Sequence, residues 1–166
     1  MRSHEIPEKV SQLIERASVD VHRDESEHGW NPSDLPEPIA TTWAVLAAQG
    51  IIDNGGLQYF FENNWPESVS YAFFSNAYRT IGASEAADCI DKAASLFPSS
   101  HPESDLEMRR NFMEKMEEKG RQNSPFYPLS IRLLDLGGGT MIALSDFIRA
   151  HENRFPSLKR SWWKFW

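Results

Sequence analysis

The chain has 166 residues, with 17 Lys and Arg against 24 Asp and Glu, a net charge of −7 and an isoelectric point near 5.2. At this length, with 40% apolar residues, it makes one domain with a real core, which excludes wholesale disorder. The acidic balance speaks against nucleic acid as a direct ligand, since a duplex binder needs a basic face, but it leaves a basic partner protein open.

The hydrophobic period is helical from the start. Ile6, Val10, Leu13, Ile14 and Ala17 step by three and four, which predicts a helix with Pro7 in its first turn. His22 to Pro38, with Gly29, Asn31-Pro32 and Pro36-Glu37-Pro38, reads as a loop. A second helix is expected from Glu37 to Asp53, buried through Ile39, Trp43, Leu46, Ala47 and Ile51. Asn54-Gly55-Gly56 ends it, because both residue types accept positive φ after a last turn. Leu57 to Asn63 then forms a short helix or tight turn, and Asn64-Trp65-Pro66 is another break.

Glu67 to Ile81 resumes the helical pattern and Gly82 stops it. Ser84 opens the next helix, with Ala87, Ile90, Ala94 and Phe97 inside and Pro98 at its close. Pro102 to Arg121 is a charged amphipathic helix with Leu106, Phe112, Met113 and Met116 on its apolar line. Ser130 to Leu136 is a short helix interrupted by Gly137-Gly138-Gly139, and Thr140 caps a last helix through Phe155. No run alternates with period two for long enough to force a strand. The expectation is an all-α fold: a single compact domain of six to eight helices over residues 1–155. Residues 156–166 form a basic, Trp-rich tail.

Little in this pattern carries catalytic chemistry. Cys89 is the single cysteine, so no intramolecular disulfide forms, and its neighbours Ala86, Ala87 and Ile90 favour a buried, inert thiol. The histidines (His4, His22, His28, His101, His151) fall in no compact ligand spacing, so no metal and no cofactor is assigned. Gly137-Gly138-Gly139-Thr140 lacks the Lys and the spacing of a phosphate loop and reads as a helix joint. There is no Gly-x-Ser-x-Gly elbow, and no catalytic residue is assigned. The first residues carry no apolar signal region. The longest apolar stretch, Trp43 to Ile52, is too short to span a membrane, so the cytoplasm is the expected compartment.

The charge is uneven. Residues 1–40 hold nine acidic and four basic side chains, whereas residues 122–166 hold three and six. Asp20, Asp24, Glu25, Glu27, Asp34 and Glu37 crowd around one loop, and like charges gathered this way attract basic partners. The tail Lys159-Arg160-Ser161-Trp162-Trp163-Lys164-Phe165-Trp166 is expected to dock on the body or on a second subunit, since so many exposed rings would aggregate.

One segment is more distinctive than the rest: Asn54-Gly55-Gly56-Leu57-Gln58-Tyr59-Phe60-Phe61-Glu62-Asn63. It resembles the Asn-Gly-Gly-(Phe)-x-Gln-(Tyr/Phe)-Phe-x-Asn signature of the DNA-mimic-protein family, and the resemblance extends over about Pro38 to Phe155. Two departures are the direct Leu57-Gln58 step and the triple glycine that follows Leu134-Asp135-Leu136. The resemblance implies an acidic protein-interaction domain that copies the charge of DNA and occupies a basic DNA-binding protein. The carboxylates of the 20–37 loop, with Glu62 and Glu67, would contact that partner. Residues Asn54, Gly55, Gly56, Gln58, Tyr59, Phe60 and Asn63 read as a structural corner: Tyr59, Phe60 and Phe61 return rings to the core while Gln58 and Asn63 satisfy groups freed at the break. The alternatives are a small-molecule or enzymatic pocket at Asn54, Gln58 and Asn63 beside Trp43, and a regulatory or toxin-neutralising module that grips its partner with the aromatic tail. A homodimer is an allowed assembly.

Overall fold

A computed structural model describes residues 32–66, 69–118 and 120–155. The amphipathic stretch 6–17, the acids Asp20, Asp24, Glu25, Glu27 and Glu67, and the tail 156–166 lie outside the described residues. Among those described there are five α-helices and no strand: α1 (Ile39–Glu62), α2 (Tyr71–Thr80), α3 (Ser84–Ala94), α4 (Leu106–Glu118) and α5 (Phe126–Ala150). Single 3-10 turns at Pro102–Ser104 and Arg121–Asn123 flank α4.

α1 is the axle of the domain. It packs against α5, α2 and α4, while α3 joins α2 to α5. α1 and α5 run antiparallel, because Leu57 meets Ser130 near one end and Glu37 meets Arg154 near the other. A helix in this position is buried on most sides. Ala40, Ala44, Val45, Ala48 and Ile52 are therefore the buried residues. Of the expected stripe, Trp43 is buried, whereas Ile39, Leu46, Ala47 and Ile51 are only partly covered.

The all-helical class stands; the described residues hold five α-helices against the six to eight expected of the whole chain, because one predicted break does not break, a second is a kink within α1, and the predicted helix over 6–17 lies outside the described residues. The expected break at Asn54-Gly55-Gly56 is present as a kink: two helical segments of α1 meet at Gly56, which lies at φ 66° and ψ −161°. Gly137-Gly138-Gly139 lies inside α5 with no interruption, and Thr140 is buried mid-helix rather than capping a new one. Glycine permits a break without compelling one. It costs about 1 kcal/mol in a helix interior, less than the burial of a single flanking side chain such as Leu133 or Leu144.

Other boundaries follow local chemistry. α2 starts later than the pattern suggests, at Tyr71, because Ser70 caps it by accepting from the Phe73 amide. It ends where Gly82, at φ 87°, lets its own amide reach the Arg79 carbonyl and the Ala83 amide reach that of Tyr78. α4 starts at an Asp105 carboxylate that accepts from the Met108 amide at 2.8 Å.

The core is aromatic. Phe60 meets the rings of Phe61, Trp65, Tyr71 and Phe74, and Phe61 meets Phe97 and Phe126. Several of these contacts are edge-to-face, the geometry that ring quadrupoles favour. Trp65, in the break after α1, donates its indole N–H to the Phe60 carbonyl at 2.8 Å. It thereby pins the break to the helix it follows.

Candidate functional site

The distinctive segment is a kinked helix that faces two ways. Gly56 reverses the local backbone, which frees the Leu57 amide, and the Ser130 hydroxyl on α5 accepts from it at 3.0 Å. Below the kink, Gly56, Leu57, Phe60 and Phe61 turn inward and are buried. Asn54 and Tyr59 turn outward, and Glu62 and Asn63 are half-buried. Tyr59 is 56% exposed, so the expectation that its ring enters the core is corrected: helical spacing places it opposite Leu57 and Phe61. Gln58 and Asn63 do not satisfy the break with their side chains either. The Gln58 amide donates to the Glu62 carboxylate at 3.1 Å, and Ser130 takes the freed amide.

The carbonyls at the end of α1 are held by a residue that the chain's motifs do not single out. Arg109 is 1% exposed. Its Nε donates to the Phe61 carbonyl at 2.8 Å and its Nη2 to that of Asn63 at 3.2 Å. Its Nη1 donates to the carbonyls of Pro102 at 2.9 Å and Glu103 at 2.7 Å. The negative end of the α1 dipole meets the buried charge, so no carboxylate is needed. A signal exists in the spacing: Leu106, Arg109, Met113 and Met116 step by three, four and three on the inner face of α4. A second polar link joins two helices under a third. Tyr78 on α2 donates to Gln49 on α1 at 3.0 Å, and Gln49 donates to Asp53 at 2.7 Å. Gly137 on α5 makes room, since a Cβ there would stand 2.9 Å from the Gln49 amide nitrogen. Burial pushes the Tyr78 hydroxyl pKa well up, with the Asp53 charge adding to it.

Two concavities touch the segment. A cleft of about 30 Å³ between α1, α4 and α5 is lined by Gly55, Gln58, Met113 and Ser130, among others, and has room for little more than water. A depression of about 340 Å³, open to solvent, is lined by Ile51, Asn54, Tyr59, Glu62 and Asn63. Asn54 and Asn63 thus share one concavity while Gln58 opens on the other. The three do not converge on a pocket beside Trp43, which is buried against Trp65 and Phe74. Cys89 is buried, which raises its thiol pKa. Among the described residues no three His, Cys, Asp or Glu gather to hold a metal, and no helix is long and apolar enough to cross a membrane.

The surface acids fall into two sets. On α3, Asp88 at 2.9 Å and Asp91 at 2.5 Å are bridged by Arg79 from α2, and Glu85 pairs with Arg132 from α5 at 2.6 Å. That face is neutralised. On α4, Glu107, Glu114, Glu117 and Glu118 are exposed, and none of them pairs with a cation among the described residues. Glu107 to Glu118 spans about 16 Å of helix axis. Of the predicted partner contacts, Asp34 and Glu37 are exposed beside the start of α1. Glu37 accepts from Thr41 at 2.9 Å, and Glu62 accepts from Gln58.

The fold and this surface define a helical domain with exposed carboxylates on α4 that no ion pair among the described residues takes up, interspersed with the exposed bases Arg110 and Lys115, and with concavities at the distinctive segment that are shallow or water-sized. The chain belongs to the DMP19-like protein family, whose family model matches residues 33–151. No curated protein and no solved structure matches it.

Proposed function

We propose that this domain is an acidic protein-interaction module that mimics the charge of DNA and occupies the DNA-contacting surface of a basic protein. The observation that carries it is the set of four exposed carboxylates on α4 that no ion pair among the described residues takes up, interspersed with Arg110 and Lys115, in contrast to α3, where Glu85, Asp88 and Asp91 are all bridged by arginines. Family membership supports it, and so does the resemblance at Asn54–Asn63, which we take as the family's signature. The contact set is Glu107, Glu114, Glu117 and Glu118 on α4 with Asp34, Glu37 and Glu62. It extends to Asp20, Asp24, Glu25, Glu27 and Glu67, which share the acidic bias of the same half of the chain. A cationic partner surface laid against these carboxylates sheds the counterions it would shed on a phosphate backbone, so binding weakens steeply with salt. Residues 1–155 act as the domain and 156–166 as its tail, in the cytoplasm, with a homodimer as an allowed assembly.

The test is capture of partner proteins on the immobilised chain, from about 50 to 200 mM salt, with and without duplex DNA as competitor. The expected result is a basic DNA-binding protein, released by salt and displaced by duplex. Capture indifferent to both overturns the proposal.

A further inference from the structure

We propose that the open depression beside α1 is a subsite for one arginine side chain of the partner protein. This rests on the reading of the domain as an acidic interaction module and names the contact at which it is specific. The depression, about 340 Å³, has an apolar floor, a ring wall and a polar rim. Half-buried Ile51 is the floor and suits the methylene stem of a long cationic side chain. Tyr59 is the wall, and its exposed ring offers a face to a guanidinium. Glu62 and the side-chain carbonyls of Asn54 and Asn63 are acceptors at the rim.

The ring is held in place by what precedes it. A Cβ on Gly55 would overlap the Cγ and Cδ atoms of Tyr59, so the ring lies against the bare Gly55 backbone one turn earlier. The Glu62 carboxylate is anchored through one oxygen by Gln58 at 3.1 Å, which leaves the other oxygen for a ligand. Arg110 comes close, but its Nε donates to the Glu62 backbone carbonyl at 3.3 Å rather than to the carboxylate. A planar guanidinium with five donors can stack on the ring while bonding to the carboxylate and the amides. An ammonium can do only part of this, so arginine is preferred over lysine. The distinctive segment then has two jobs on two faces: Gly56, Leu57, Phe60 and Phe61 hold the corner, and Asn54, Gly55, Tyr59, Glu62 and Asn63 build the subsite.

The experiment is an NMR titration of the full chain with N-acetyl-arginine amide, with the lysine amide as a weaker cation and the citrulline amide as the uncharged control. The expected result is saturable amide shifts centred on Asn54, Gly55, Tyr59 and Asn63 with arginine, weaker shifts with lysine and none with citrulline. Y59L and E62Q weaken binding roughly threefold to fivefold, Y59F retains it, and G55A, which displaces the ring, behaves like Y59L. An unchanged circular dichroism spectrum shows that each variant is folded. Arginine shifts centred on α4, or shifts indifferent to Y59L, overturn the subsite and leave the acidic-surface reading standing. Absence of shifts anywhere overturns the subsite as well, whereas the acidic-surface reading falls only to salt-indifferent capture.

Discussion

Arg109 carries more of the fold than any other polar side chain described. Four carbonyls from α1, the residue after it and the turn at Pro102–Ser104 converge on one guanidinium that water does not reach. Arg109→Leu fills the space but orphans those carbonyls, and is expected to cost about 3 kcal/mol or more in urea unfolding. Arg109→Lys keeps the charge but lacks the fork, and should fall between leucine and the native residue. An Arg109→Leu variant as stable as the native chain would show that the carbonyls find other partners. Gly56 is the complementary case. Its φ of 66° with ψ of −161° is a backbone region that only glycine occupies freely, and a Cβ would stand 3.2 Å from the Ser130 hydroxyl. Gly56→Ala should cost roughly 1–3 kcal/mol. The need for a glycine here was legible in the sequence. The use of Arg109 was not, because a charged residue on an apolar stripe looks like an error until the carbonyls it serves come into view.

The triple glycine sorts the same substitution by position along one element. Gly138 and Gly139 are exposed on α5, and a methyl group added at either would meet nothing within 4 Å. Gly138→Ala and Gly139→Ala should therefore each stabilise by about 0.5–1 kcal/mol. Gly137→Ala should destabilise, because its methyl drives into Gln49 and disturbs the link to Tyr78. Thermal melts of the three variants check this; equal effects at all three positions would refute the close approach of α1 and α5. Helix existence was legible for α2, α3 and α4 from apolar periodicity, and the stop at Gly82 from a single residue. The kink at Gly56 was legible as well, whereas helix continuity across Gly137–Gly139 was not. Local propensity favours a break there, and the packing of the flanking turns of α1 and α5 against each other outweighs it.

For the molecule as a whole, the buried tyrosines set an alkaline limit. Burial raises the pKa of both Tyr71 and Tyr78 well above the ordinary value near 10, and for Tyr71 the nearby Arg109 charge opposes the rise only in part. Each folded tyrosine keeps its proton above pH 10 while the unfolded chain releases it, so the unfolded state binds fewer protons. Stability is therefore intact below pH 10 and falls as pH rises beyond it, by about 1.4 kcal/mol per pH unit for each tyrosine. Urea midpoints from pH 9 to 11 should show the fall, and Tyr78→Phe should remove about half of its slope. A flat profile would mean that these hydroxyls reach solvent. At this scale the amino-acid sequence by itself determined an all-helical domain, a single inert thiol, an excess of acid and the place of the distinctive segment. Each follows from composition or from spacing within one turn of helix. Only the tertiary structure decided which acids are taken up in ion pairs and which stay free, and which face of Asn54–Asn63 meets the core. It also decided that Arg109 and Ser130 complete the corner, since each reaches its partners across about 50 to 70 residues of chain, where no local pattern reports what the fold brings together.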